Sequence, residues 1–236
     1  MLFSVATARS VVTVAPILEK LGLNLPAVLM NGVSICTLRS NEVHSFEPIE
    51  KEVAKNIIAA FLENNRPPFV FSLHNNEIEV EYKELKNAVD KEFYDDRVKR
   101  YFSFKQVDEF DLNKNIIYIN ATDHEEVIKP VEHSIKKLQN VSSVMYKDTY
   151  TNYWFIECFS NKASKILGAK KLQELTGADR IVAFGDNQND MGMLAGADVA
   201  VAVENAIDEL KKIADVITLS NENDGVAEYI LKDFKE

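Results

Sequence analysis

Two carboxylates four positions apart, Asp186 and Asp190, stand in the run Gly185-Asp186-Asn187-Gln188-Asn189-Asp190, directly after the apolar stretch Ile181-Val182-Ala183-Phe184. Hard oxygen donors at this spacing suit magnesium, which takes one or two carboxylates and keeps waters and a substrate phosphate as its other ligands. The apolar stretch reads as a strand. Its exit places Asp186 at the carboxyl edge of a parallel sheet, where open α/β folds put their chemistry, and Asn189 and Asp190 open the following helix. An Asn/Asp-rich surface turn that only caps a helix has the same composition.

The elements that follow decide between these readings. Met191 to Ala197 predicts a short helix, Val199 to Val203 another apolar strand, and Asn205-Ala206 the start of the next helix. Asp215 to Leu219 predicts a strand, and the turn Ser220 to Val226 leads into a last helix. Strand, turn and helix recurring at short intervals predict βαβ units on a parallel sheet. The string GDNQNDMGMLAGADVAVAVENA, with the later SNENDGVAEYI, resembles the haloacid dehalogenase superfamily, specifically its Cof-type branch of sugar-phosphate phosphatases with a large cap. The resemblance implies an α/β fold: a Rossmann-like parallel-sheet core, here with its N-terminal strand missing, and an inserted α+β cap domain.

Other residues take their roles from that resemblance. Ser164-Lys165 opens a helix whose apolar Ile166, Ala169 and Leu172 recur at helical spacing. A lysine there is ordinarily solvated; in the family a lysine at this place reaches the phosphate and the nucleophile's carboxylate. Lys165 lies 21 residues before Asp186 (186 − 165). Lys162 stands where the family often has glycine. Near the amino end, the apolar Phe3 to Ala6 runs into Thr7-Ala8-Arg9-Ser10. A hydroxyl at a strand end, followed by backbone N–H groups opening a helix, is a phosphate cradle, although Thr7 or Ser10 could equally cap a helix that Gly22 stops. The family's phosphate-binding Thr/Ser motif maps onto Thr7, with Ala8 in place of the commoner glycine, and its Asn-Gly turn onto Asn31-Gly32.

One departure is large. The superfamily's nucleophile is the first Asp of an Asp-x-Asp pair that ends the first strand, about 30 residues before the Thr7 position by ordinary βα unit length. Only six residues precede Thr7 here, and no two aspartates lie two apart. Asp95-Asp96 and Asp108/Asp111, the nearest candidates, sit in polar helical or loop sequence. The expectation is a chain that lacks the nucleophilic Asp and is shortened at its amino end, by a start-site error or a gene truncation. A central strand would then be missing, which leaves a gap and unpaired backbone groups.

Composition adds limits. A net charge of −10 argues against nucleic acid and anionic membranes as partners. The two cysteines, Cys36 and Cys158, argue against a disulfide framework and for a reducing, cytoplasmic location. No secretory leader and no apolar run of about 20 residues is visible. Residues 1–36 and 160–236 are expected to form one discontinuous core, with 37–159 as the cap. Within the cap, Val53, Ile57 and Phe61 mark an amphipathic helix over Glu50 to Glu63. Phe69 to Leu73 and Ile78 to Tyr82 predict a hairpin. Ile116 to Asn120, a helix over Glu125 to Leu138, Val141 to Tyr146 and Tyr153 to Phe159 complete an antiparallel α+β module. Lys83 to Arg100 reads as a solvated, charge-rich helix face. His44, His74, His124 and His133 share no metal-ligand spacing and are expected at the surface.

The resemblance then implies magnesium-dependent hydrolysis of a small phosphorylated metabolite, with inactivity expected of the chain as written. Asp186 would hold the metal, and Asp190 would ligate it directly or through water. Thr7, the Ala8 N–H, Asn31, Gly32, Lys165 and Asn189 would surround the phosphate. A monomer or weak homodimer is expected. A phosphomutase of the same superfamily and a non-catalytic ligand-binding remnant are the alternatives.

Overall fold

The structure is a computed structural model and describes residues 1–23, 25–40, 42–99, 103–148 and 152–234. The chain forms two compact units, Met1–Ser40 with Ser164–Glu236 and Asn41–Ala163. Both junctions fall four residues beyond the expected ones (40 − 36 and 163 − 159).

The first unit opens with residues 3–6, which form a single parallel bridge from Ala6 to Val28 instead of the expected strand. The bridge is held by Val28 N–H donating to Val5 C=O at 2.8 Å and Thr7 N–H donating to Val28 C=O at 2.9 Å. Helix α1 (Val11–Leu18) tightens into a 3-10 turn and ends at Gly22, whose φ of 60° is the left-handed value that glycine adopts without strain. Strands β1 (Ala27–Leu29) and β2 (Ser34–Thr37) pair antiparallel across the turn at Asn31-Gly32.

In the second unit the chain runs β3 (Glu42–Phe46), α2 (Lys51–Glu63), β4 (Phe69–His74), β5 (Glu77–Tyr82), α3 (Ala88–Arg97), β6 (Ser103–Gln106), β7 (Ile116–Asp123), α4 (Glu125–Ile135), β8 (Val141–Lys147) and β9 (Trp154–Ser160). The sheet order β6-β5-β4-β7-β9-β8 puts β7 in the interior, and all its residues are buried. Ile57 and Phe61 of α2 and Ile128 and Val131 of α4 share one core with Ile119 of β7 and Ile156 of β9. Asn75 and Asn76, both at positive φ, close the β4–β5 hairpin, where a primed turn matches the strands' twist. Two expectations fail here. The module is not wholly antiparallel, because β6 adds parallel to β5. Nor is the charge-rich stretch simply solvated: Asp90 of α3 is buried against Arg66, which also donates to the Pro67 and Thr122 carbonyls. A buried guanidinium needs such partners, and sequence spacing does not disclose them. Arg100, the end of that stretch, lies outside the described residues.

Back in the first unit come α5 (Lys165–Thr176), β10 (Val182–Gly185), α6 (Met191–Gly196), β11 (Val199–Val203), α7 (Asp208–Ile213), β12 (Val216–Thr218) and α8 (Gly225–Asp233). Strands β10, β11 and β12 pair parallel in that order, as successive strand–helix–strand units do. Ala183, Leu194, Ala200, Ala202 and Leu210 form their core. The helix expected from Asn205-Ala206 starts only at Asp208, because Ile207 is still extended (φ −61°, ψ 150°). Residues 3–6 and β10 do not pair with each other. Both line a trench of about 660 Å3. No helix among the described residues is long and apolar enough to cross a membrane.

Candidate phosphate and metal site

Strand β10 ends at Gly185 and delivers Asp186 to an exposed turn. The turn is built by its own side chains: Asn187 and Asp190 form a capping box, and Asp190 Oδ2 accepts the backbone N–H groups of Asp186 at 3.1 Å and Asn187 at 3.3 Å. Asp190 Oδ1 accepts from Lys165 Nζ at 2.7 Å, and both side chains are less than one tenth exposed. Asp190 is therefore committed to the protein on both oxygens, whereas Asp186 is an exposed residue. Burial first, and then the neighbouring Asp190 charge, raises the Asp186 carboxyl above its ordinary range, while Lys165 offsets part of this. A bound cation would reverse that tendency.

Lys165 reaches this place because Ser164 caps α5, its side chain accepting the Leu167 N–H at 3.2 Å. The helix lies close on β1: a Cβ added at Gly168 would stand 2.3 Å from Val28 Cγ1. Gly32 carries φ 97°, and a Cβ there would stand 2.1 Å from the Ser164 carbonyl oxygen, so the Asn31-Gly32 turn abuts the start of α5. Asn31 is buried at φ 58°, and its N–H donates to the Thr7 carbonyl at 3.0 Å. The Met30 N–H donates to the Arg9 carbonyl at 3.0 Å. Thr7 Oγ1 accepts the Arg9 N–H at 3.2 Å, which turns the backbone after the bridge.

These contacts join Thr7 to Asn31, Gly32 to Ser164, Lys165 to Asp190 and Asp190 to Asp186 in one continuous chain within the first unit. Asn189 is exposed on the same turn as Asp186. Ala8 lies between Thr7 and the Arg9 N–H. Lys162 belongs to the second unit and pairs with Glu50 there at 2.8 Å. All four histidines are exposed, and among the described residues no group of three or more His, Cys, Asp or Glu gathers as a metal cluster. The Lys165–Asp190 pair was not legible in the sequence, where 25 residues separate its members. The capping box was, since Asn187 and Asp190 carry the needed oxygens three positions apart.

A strand-end carboxylate, a buried lysine and a hydroxyl-bearing turn thus lie along one chain of contacts in an α/β unit. The chain belongs to the haloacid dehalogenase-like hydrolase family, whose pattern it matches over residues 1–230. It is 25% identical to phosphatase YwpJ of Bacillus subtilis over 94% of this chain and 84% of that one. A shorter stretch is 41% identical to 5-amino-6-(5-phospho-D-ribitylamino)uracil phosphatase YitU of the same organism, spanning 34% of this chain and only 30% of that enzyme. Among solved structures, the subclass IIB sugar phosphatase BT4131 superposes with a TM-score of 0.72 at 23% identity, over 99% of this chain and 85% of its own. That likeness shows a shared fold.

Proposed function

We propose that the first unit is the phosphate- and magnesium-binding part of a phosphatase for a small phosphate ester such as a sugar phosphate. The observation that carries this reading is the buried Lys165–Asp190 pair beside the exposed Asp186, whose N–H donates to Asp190. Magnesium fits the donors present, since it needs one or two carboxylates and keeps the rest of its octahedron for water and phosphate. Asp186 would hold the metal directly, and Asp190, with one oxygen on Lys165 and the other on two backbone N–H groups, would act through water. When bound, the metal neutralises charge on the phosphate oxygens. Thr7 Oγ1, the Ala8 N–H, Lys165 and Asn189 hold the phosphate, and the Asn31-Gly32 turn fixes Thr7. The same chemistry with a second hydroxyl in place of water would make the protein a phosphomutase.

Phosphoryl transfer to a carboxylate needs one that is neither pairing nor ligating. Asp190 pairs and Asp186 ligates, and no third carboxylate joins them among the described residues. On this reading the 236 residues bind phosphate with magnesium but do not turn over an ester. The test is calorimetric titration of inorganic phosphate with magnesium present, beside p-nitrophenyl phosphate hydrolysis. Binding lost in Asp186→Ala and in Lys165→Met, without hydrolysis in the unaltered chain, is the expected result. Hydrolysis that Asp186→Asn abolishes would overturn the claim of no turnover, and phosphate binding indifferent to both changes would overturn the site.

A further inference from the structure

In the second unit, Ile119 of β7 and Ile156 of β9 pack with α2 and α4, so the alternate residues Tyr118, Asn120, Phe155, Glu157 and Phe159 point to the opposite face of the sheet. Asn120 and Glu157 are direct cross-strand partners there, 7% and 9% exposed. Tyr146 of the edge strand β8 donates its hydroxyl to Glu157 Oε1 at 2.9 Å. The buried Tyr118 hydroxyl lies near enough to Glu157 to stabilise its charge, yet it meets no partner in hydrogen-bonding geometry. Two parallel ring stacks frame the group, Tyr118 with Phe159 at 5.7 Å and Tyr146 with Phe155 at 5.3 Å. Among the described residues no cation pairs directly with Glu157. Arg97 acts on it from a distance, with its guanidinium 3.8 Å from the Phe93 ring centroid.

We propose that Glu157, Asn120 and Tyr118 bind the primary ammonium group of a small organic cation, whose carbon body lies along the exposed ring of Tyr146. An ammonium carries one positive charge and three N–H donors. That matches one carboxylate without a paired cation, one carboxamide oxygen and one phenol oxygen. A neutral hydroxyl brings a single donor and no charge. For packing alone, glutamine would fill the place of Glu157 without the cost of a buried charge. Burial raises the Glu157 carboxyl above its ordinary range, and the tyrosine hydroxyls and Arg97 offset only part of this. Tyr146 is 40% exposed on the sheet edge, which gives the ligand its approach, and its ring adds cation–π attraction. The net charge of −10 favours cations near the surface. The inference stands on the second unit alone and holds whether or not the first unit binds phosphate.

The probe is glucosamine hydrochloride, titrated into the isotopically labelled chain at about pH 6.5 and up to about 50 mM, as suits a millimolar site. Glucose with matched sodium chloride is the control, since it carries a hydroxyl where glucosamine has the ammonium. The amide signals of Asn120, Tyr146 and Glu157 should shift and saturate with glucosamine alone, while Ile135 in α4 and Val201 in β11 stay as they were. Glu157→Gln should weaken binding roughly tenfold or more and Tyr118→Phe severalfold, with Trp154 fluorescence reporting that the second unit is still folded. Binding unchanged in either folded variant would overturn the proposal. Should a variant not fold, the unaltered chain decides: saturable shifts confined to glucosamine support the site. Equal shifts with glucose would make it a hydroxyl site and overturn the proposal, as would the absence of saturable shifts at these three amides.

Discussion

Replacing Asp190 by alanine tests the physical basis of the site directly. The Lys165 ammonium and the Asp190 carboxylate lie 2.7 Å apart with side-chain exposures of 7% and 9%, so neither charge has bulk water to fall back on. Removing one member of such a pair costs about 3–5 kcal/mol, because the other remains buried and uncompensated. The two backbone N–H groups that also lose their acceptor belong to the exposed Asp186 and Asn187, where water takes over. They add little. At about 1.36 kcal/mol per tenfold, the first unit should open roughly 10^2 to 10^4 times more often. Against a typical stability of about 5–15 kcal/mol this is a large share.

The assay has to report the correct unit. The single tryptophan, Trp154, lies in β9 of the second unit, so its fluorescence does not serve. Amide exchange at Val201 and Ala202 does, since both are fully buried in β11. Ile119 in the second unit is the internal control. Lys165→Met alone leaves Asp190 with two N–H donors and should cost less. Combined with Asp190→Ala it should restore up to about 3 kcal/mol of the sum of the single losses, as a coupled pair does. A single loss under about 1 kcal/mol, or strict additivity, would refute the claim that a buried ion pair holds the turn.

Gly185→Ala would set a Cβ 2.6 Å from Asp190 Cβ and 2.9 Å from Leu194 Cδ1, so the same exchange measurement should show a loss of about 1–3 kcal/mol. Arg66→Met should lower the second unit's stability by about 3–5 kcal/mol, because Asp90 is left buried without its partner; urea unfolding followed by Trp154 fluorescence reads it. Burial alone would raise the Glu79 carboxyl, but hydrogen bonds from Lys105, Lys114 and Ser103 outweigh it and bring the group down to about 2 from an ordinary 4.5. Its stabilisation is thus present above pH 4.5 and lost as pH falls toward 2. Glu79→Gln should flatten that part of the acid profile of the second unit, and an unchanged profile would mean that the Lys105 and Lys114 contacts are without weight.

By itself the sequence determined what local pattern can determine. The succession from Ile181 to Val226 spells strand, turn and helix because alternating apolar runs and Asn/Asp/Gly turns are local signals, and β10, β11 and β12 follow it within one or two residues. The hairpin β4–β5 is likewise written in Asn75 and Asn76, which accept positive φ. Tertiary structure decided the rest. Strand β6 pairs parallel to β5 across the α3 connection, and no periodicity announces such a register. Asp90 looked like one more charge on a solvated helix until Arg66, 24 residues earlier, was seen to bury against it. Lys165 and Asp190 are an ordinary lysine and an ordinary helix-opening aspartate until the fold brings them to 2.7 Å. Burial and pairing depend on what lies opposite in space, and a residue's neighbours along the chain do not carry that information. For the same reason the trench lined by Ala6 and Val182 takes its walls only from the tertiary structure.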